Sequence, residues 1–547
     1  MNMTRLLLTL LLTLALSVPA HGAPPAPGMS PEFEAALKGL VDEDREVMLT
    51  AIETLGRLGR LGDVAALPAL TALMDDNLRI GPEAHPIILG PAGAVDALTG
   101  APFSGAVDAL DSPSVNNKVR RTLEPVVAAL SLASPDPEVR LKAAETLLSG
   151  ADPEMAPIME QALDQEKDSR VARKLALALA LASLDSPEPA KRISALKALG
   201  RAGDQEQLVR VLPFLEKGKD GAFKEPDAGV RGAADTTRMS LERKAALVRG
   251  ARDLFYGLSL GSVMLLAALG LAITFGLMGV INMAHGEMIM LGAYSTYVVQ
   301  ELFTRYLPDH ADWYLPCAAP LAFLLPCCVG LVLERAILRH LYGRPLETLL
   351  ATWGISLGLI QTVRLIFGAQ NVEVRNPALL SGGFELTTGL IITYNRVAII
   401  AFALLVVAAV WYILQRTPLG LKVRAVTQSR SMASAMGIFT ARVDVWTFGL
   451  GCGIAGLGGL ALTQVGNVNP ELGQGYIVDS FMVVVLGGVG KLAGTVFGSF
   501  GLGLVNKILE PFAGAVLGKI ILLAAIVLFI QKRPQGIFAV KGRMAEN

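Results

Sequence analysis

The spacing of apolar positions changes twice along the 547 residues. A short apolar run at 6–18 follows Arg5 and ends near Ala20-His21-Gly22-Ala23. From residue 32 to 252, charges of both signs are dense, and leucine and alanine return at helical spacing. From 254 to 530, apolar runs recur near the length needed to cross ~30 Å of hydrocarbon. Spans are predicted at about 254–276, 286–304, 315–335, 347–367, 395–415, 442–465, 477–490, 491–509 and 514–531. The expected fold is all-α: a polytopic transmembrane helical body of about 8–10 spans, preceded by an exported α-helical repeat domain.

Within the charged half, "DREVMLTAIETLGRLG" (44–59), "DPEVRLKAAETLLSG" (136–150) and "KRISALKALGRAG" (191–203) resemble one another. "LPALTALMDD" and "MAPIMEQALDQ" follow two of them as partner helices. Helix pairs recurring every 45–50 residues point to a short α-solenoid of the HEAT kind; a plain helical bundle is the competing reading. Residues 217–237, rich in glycine and charge and without periodicity, read as a linker. "RMSLERKAALVRGARD" then forms a short amphipathic helix before the first span. The expected boundaries are 1–23 signal peptide, 24–215 repeat domain, 216–252 linker and leading helix, and 253–547 membrane domain.

The charged n-region, short apolar core and small-residue site at the start read as a secretory signal peptide, with an uncleaved anchor as the alternative. The segment after it is then exported, in a bacterium to the periplasm. Mean hydropathy of +0.50 agrees with a membrane protein. A formal net charge of zero gives no reason to expect nucleic acid as a partner. Cys317, Cys327, Cys328 and Cys452 all lie in apolar surroundings and read as small buried residues. Basic residues collect at 334–345, 415–442 and after Ile530, which places these segments and the C-terminus in the cytoplasm. Arg243, Lys244, Arg249 and Arg252 run against that orientation.

The stretch "GLMGVINMAHGEMIMLGAY" (276–294) holds Asn282, His285 and Glu287 in an apolar, glycine-rich run. His285-Gly286-Glu287 matches H-x-E, half of a zinc-deaminase signature. The P-C-x-x-C half is missing, since Pro316-Cys317 leads to Ala318-Ala319-Pro320, and no H-E-x-x-H occurs. No metal and no cofactor are therefore expected. Polar groups between spans instead face a pathway or the bundle interior, and the glycines let the backbone break. His285 and Glu287 either line that pathway or cap helix ends and hold neighbours together. Gln361, Gln464, Asn467 and Asp479 are further polar residues in or near spans, and Arg364 a charged one.

The segment "RTPLGLKVRAVTQSRSMASAMGI" (416–438) has helical spacing from "LKVRAV" onward. Arg424, Gln428 and Arg430 are polar, Ala425, Ala433, Ala435 and Met436 apolar, and Gly437 suits a left-handed C-cap. Such a helix fits a groove on another protein; an ordinary basic loop is the alternative.

Five separated motifs occur in order: "LGLAITFGLMGVINMAHGEMIMLGAY", "ERAILRHLYGRPLETLLATWGISLGL", "RTPLGLKVRAVTQSRSMASAMGI", "VVVLGGVGKLAGTVFGS" and "KRPQGIF". Over about 254–538 the chain resembles the permease subunits of branched-chain amino-acid and urea ABC importers. The resemblance implies a bacterial inner-membrane protein with a second homologous permease subunit, cytoplasmic ATP-binding subunits and a periplasmic solute-binding protein as partners. It also implies that 416–438 contains the helix touching the ATPase, with Ala435 and Gly437 at its small-residue end. The preceding helical extension and "ETLLATWGISLGLIQTVRLIFGAQNVEVRNP" (347–377) resemble the urea-type branch.

The chain carries no G-x-x-x-x-G-K-[ST], so ATP hydrolysis belongs to another chain. The expectation is a non-enzymatic permease importing urea by alternating access. Asn282, His285, Glu287, Gln361, Gln464 and Asp479 are its pathway candidates, and Arg424, Gln428, Arg430, Ala435 and Gly437 its coupling residues. The first rival is a branched-chain amino-acid permease, in which Glu287, Arg364 and Asp479 would complement a zwitterion. The second is a scaffold or signalling protein whose helical repeats are the active part.

Overall fold

The structure is a computed structural model that describes residues 30–538, apart from 61–65, 91–92, 108–109, 151–152 and 388. Residues 1–23, expected to be a signal peptide, lie outside the described residues. The chain divides into two compact units between Ala245 and Ala246.

The first unit is a succession of short amphipathic helices: α1 (Pro31–Gly39), α2 (Arg45–Arg60), α3 (Ala66–Met74), α4 (Asn117–Ser131), α5 (Pro137–Ser149), α6 (Ala156–Gln165), α7 (Ser169–Ser183), α8 (Pro189–Ala202) and α9 (Leu208–Val211). The predicted helices at 44–59, 136–150 and 191–203 correspond to α2, α5 and α8. The apolar faces of α1–α7 share a core that includes Phe33, Leu55, Leu70, Leu123, Leu147 and Leu175, while α8 and α9 pack in a second cluster with Leu196, Leu199 and Val211. Between α3 and α4 the chain leaves the all-α plan. Strands β1 (Leu78–Ile80), β2 (Pro86–Gly90) and β3 (Gly93–Asp96) pair antiparallel in that order, with Leu78 opposite Ile88 and Ile87 opposite Asp96.

Three helix starts in this unit share one device. "SPDPEVR" (134–140), "SPEPAKR" (186–192) and "EPDAGVR" (225–231) each place an arginine six residues after the first position. Its Nη1 reaches back to the carbonyls of the first two residues. Arg140 donates to Ser134 and Pro135 at 2.9 and 3.1 Å, Arg192 to Ser186 and Pro187 at 2.8 and 3.1 Å, and Arg231 to Glu225 and Pro226 at 2.8 Å each. These turn carbonyls have no helical donor, so the guanidinium satisfies them. Arg140 also grips Glu166 with two bonds of 2.8 and 2.9 Å, and Arg192 bonds Glu225 at 2.8 Å.

Helix α10 is a single element, Ala228–Met278. It takes in residues 228–237, which composition alone assigned to a linker. The physical reason is visible in the side chains: Val230, Ala234, Thr237 and Leu241 recur at helical spacing and are buried.

The second unit holds the long apolar helices. These are the later part of α10, α11 (His285–Tyr306), α12 (Tyr314–Ala336), α13 (Pro345–Phe367), α14 (Tyr394–Arg416), α17 (Thr440–Thr463), α18 (Leu472–Gly487) and α19 (Leu492–Lys532). Between α14 and α17 lie the short α15 (Pro418–Gln428) and α16 (Arg430–Ala435). A hairpin of β4 (Gly383–Thr387) and β5 (Leu390–Thr393) precedes α14. Among the described residues, six helices are long and apolar enough to cross a membrane: α10, α12, α13, α14, α17 and α19. The nine predicted segments fall on eight helices, because the last two share α19, which turns at Gly514 (φ 76°). Helix α11 is too polar for that count, and α18, at 16 residues, rises only about 24 Å.

The apolar stretches of α10 and α17 are 83% and 78% buried, whereas those of α12, α13, α14 and α19 are 17–28% buried. Buried α10 and α17, together with the buried first half of α11, form the centre, and the others surround it. Glycine makes this centre possible. A Cβ on Gly292 of α11 would collide with the backbone of Gly456 on α17, and one on Gly459 with the carbonyl of Ile289. Small residues allow such backbone contact where lipid supplies no hydrophobic force between helices.

Candidate functional site: a polar break between two helices

Helix α10 ends at Met278, and Gly279 turns the chain with φ 71°. The side chain of Asn282 accepts a 3.0 Å bond from the Ala284 N–H. His285 then opens α11, and its Nε2 donates to the carbonyl oxygen of Ala267 at 2.9 Å. Ala267 lies about 16 Å of helical rise before the end of α10. The break therefore folds back into the bundle, and α11 begins inside it. The chain reverses over 279–284 with its polar groups turned inward, the condition under which irregular backbone persists among membrane helices.

Glu287 faces a different neighbour. Residues two apart on a helix do not share a face, so His285 meets α10 while Glu287 meets α13. The Ser356 Oγ donates to Glu287 Oε1 at 2.7 Å. One turn earlier on α13, Thr352 Oγ1 accepts from the Met283 N–H at 3.1 Å. Thr348, Thr352 and Ser356 recur every four residues and form the polar part of the buried face of α13. Asn282, His285 and Glu287 are 0–2% exposed. Each still has one polar atom without a partner among the described residues: Asn282 Nδ2, His285 Nδ1 and Glu287 Oε2. Since Nε2 carries the proton, Nδ1 is an acceptor. The break thus presents two acceptors and one donor, on two sides of α11. Among the described residues no three His, Cys, Asp or Glu side chains are grouped to hold a metal.

The other candidates do not join this cluster. Gln464 is buried, and its Nε2 donates to Tyr314 Oη at 3.2 Å and Thr463 Oγ1 at 3.0 Å. Asp479 on α18 pairs with Lys519 on α19 at 3.1 Å. Gln361 and Asn467 are exposed, Gln361 lying off the buried face of α13. Arg364 pairs with Glu471.

The segment 416–438 is two helices rather than the one its spacing suggests. Ser429 leaves helical geometry (φ −155°, ψ 108°) and caps α16 by accepting from the Met432 N–H. Gly437 (φ 81°) ends α16, with Gly437 N–H bonded to Ser434 O and Ile438 N–H to Ala433 O, both at 3.0 Å. That pairing is the Schellman termination, and it needs a residue free to adopt positive φ. Arg424, Gln428 and Ala435 are exposed. Arg424 reaches back to the end of α14, bonding Leu414 O and Gln415 Oε1. Arg430 is exposed as well, but its guanidinium pairs with the buried carboxylate of Asp444 on α17.

Apolar helices around a glycine-lined centre with a polar break have the make-up of a multi-pass membrane protein. Residues 254–530 match the family described as branched-chain amino acid transport system / permease component, and the chain belongs to that family. It is 28% identical over 296 residues to the high-affinity branched-chain amino acid transport system permease protein BraD of Pseudomonas aeruginosa, covering 52% of this chain and 94% of that one. Over 293 residues it is 28% identical to the corresponding protein LivH of Escherichia coli, with the same coverage. A probable branched-chain amino acid transport permease protein LivH of Methanocaldococcus jannaschii is 24% identical over 300 residues, covering 51% of this chain and 89% of that one. These relatives are ABC transporter permease subunits, not enzymes in themselves.

Proposed function

We propose that this chain is the permease subunit of an ABC importer for branched-chain amino acids, moving solute past the break at 279–287 by alternating access. The observation that carries the reading is the buried Glu287 carboxylate, which has one oxygen satisfied by Ser356 and one without a partner. A buried carboxylate is costly unless a cation meets it, and the ammonium group of an amino acid supplies one. Neutral urea does not. The names of the relatives support the same choice. The urea reading is left with the likeness of 347–377 and of the helical extension.

The family implies ATP-binding and solute-binding partners. A second homologous permease subunit completes the transmembrane pathway, and the exposed face of α15 and α16, with Arg424, Gln428, Ala435 and Gly437, meets the ATP-binding subunits. In this reading the helical unit before the membrane helices is an exported HEAT-like domain, the N-terminal side lies outside, and the C-terminus lies in the cytoplasm of an inner-membrane protein. Uptake of labelled leucine and labelled urea, with and without the gene, tests the substrate. Loss of leucine uptake alone supports the proposal. Loss of urea uptake with leucine unchanged sinks it.

A further inference from the structure

Arg430, one of the expected coupling residues, is exposed, with its side chain 50% accessible, yet its guanidinium meets a buried carboxylate. Its guanidinium pairs with the Asp444 carboxylate, which is 3% exposed, and lies 5.0 Å over the ring of Tyr342. Tyr342 in turn donates its hydroxyl to Glu334 Oε1 at 3.1 Å. Glu334, on α12, is 1% exposed, and its Oε2 has no partner among the described residues. We propose that Arg430, Asp444, Tyr342 and Glu334 form the joint through which movement of α15 and α16 reaches the transmembrane core. The inference rests on the reading of 416–438 as the surface that meets the ATP-binding subunits.

The placement of the joint supports this. Glu334 lies one helical turn beyond Gly330, where α12 is wedged against α17: a Cβ there would sit 2.8 Å from the Cβ of Cys452. Asp444 lies on the same end of α17. Arg430 thus meets α17 directly through Asp444, and α12 through Tyr342 and its bond to Glu334. The neighbouring helix α15 meets a different neighbour: Thr427 Oγ1, 2.7 Å from Val423 O in its own helix, also lies 3.2 Å from the carbonyl oxygen of Leu277 at the end of α10. The two short helices therefore bridge the end of α10 and the α12–α17 pair. Helix α17 also touches α10 through backbone, a Cβ on Gly451 coming 2.9 Å from Gly270 O, beside the His285 ring. A displacement of α16 is delivered to the wall of the break. The unpaired Glu334 oxygen gives the guanidinium a second acceptor as it moves, in place of an uncompensated charge.

These are positioning residues, so the readout is solute moved per ATP hydrolysed in the complete importer, reconstituted with labelled leucine. Arg430→Gln, Asp444→Asn and Glu334→Gln should each lower that ratio about tenfold while ATP hydrolysis and assembly persist. Arg430→Lys, which keeps the charge, should stay within about threefold of wild type. Wild-type ratios in Arg430→Gln and Asp444→Asn overturn the joint, as does a parallel loss of uptake and hydrolysis in variants that still assemble. If the charge variants fail to assemble, Tyr342→Phe decides: it keeps the ring and removes one hydroxyl, and an unchanged ratio rejects the proposal. If the wild type moves no leucine, the substrate assignment fails separately. The joint is then read from stimulation of ATP hydrolysis by the solute-binding protein, which Arg430→Gln should abolish and, if the joint is wrong, leave intact.

Discussion

The imidazole of His285 and the carbonyl of Ala267 are joined at 2.9 Å, and this one bond fixes where α11 begins relative to α10. The ring is fully buried, and a Cβ on Gly270 would lie 3.0 Å from its Cε1. His285→Ala should therefore loosen the break, by about 1–3 kcal/mol for the lost buried bond and the atoms left without partners. The measurement is thermal unfolding in detergent. A variant as stable as wild type would show that the break is held by its glycines alone.

Glu287 makes the opposite case, because its stabilising partner is a single hydroxyl. Glu287→Gln keeps shape and the Ser356 contact but removes the charge. Stability should change little or rise, since burying a neutral amide costs less than a carboxylate. Leucine uptake should fall about tenfold or more if the carboxylate receives an ammonium group. Ser356→Ala leaves both carboxylate oxygens unsatisfied and should lower stability by about 1–3 kcal/mol. Equal uptake in Glu287→Gln and wild type would exclude the carboxylate from solute binding.

How much of this was legible in the sequence follows from the kind of signal each feature leaves. Apolar runs located every long helix of the second unit, because span length is a one-dimensional property. The break was legible from Gly276, Gly279 and Gly286 together with the polar residues between them. The direction each polar side chain takes was not. His285 and Glu287 read as one motif but face different helices. Thr348, Thr352 and Ser356 were missed, although a hydroxyl every fourth residue in an apolar span was there to be found. The strands at 78–96 were missed because Gly and Pro interrupt them, leaving too few alternating positions to read. The third arginine turn, at 225–231, lay inside the presumed linker, where composition outweighed the repeated Pro, acidic and Arg positions. Ser429 was read as part of one helix, yet its hydroxyl competes for backbone N–H and divides the segment.

The arginine turns predict a pH dependence in the first unit. Hydrogen bonding from Arg140 holds the Glu166 carboxyl below the usual carboxylate range. A carboxyl depressed on folding adds stability above its unfolded pKa of about 4.3, and that stability is lost as pH falls through the lower folded value. Protection of the amides in α5 and α7 against hydrogen exchange, taken relative to the intrinsic rate at each pH, should fall below about pH 4. Glu166→Gln should exchange faster at neutral pH and lose that acid step. A variant that keeps the full acid step would place the titrating group elsewhere.

The sharpest test of the central packing is a single methyl group. A Cβ on Gly456 would overlap the carbonyl of Ala322 on α12 and come 2.6 Å from the Pro326 ring. One on Gly459 would overlap Ile289 O and come 2.7 Å from Ala293 N. These obstacles are backbone or ring atoms of helices already held on other sides, so relief requires whole helices to separate. Gly456→Ala and Gly459→Ala should each cost more than about 3 kcal/mol, at or beyond the upper end for overpacking. They should abolish recovery of monodisperse protein from detergent. Gly354 and Gly358 on α13 provide the contrast. A Cβ at either meets nothing within 4 Å, so alanine should be neutral or stabilise the helix by up to about 1 kcal/mol. If all four variants behave alike, helix propensity governs these sites. If only the first pair fails, backbone contact between α11, α12 and α17 sets the shape of the centre and the position of the break within it.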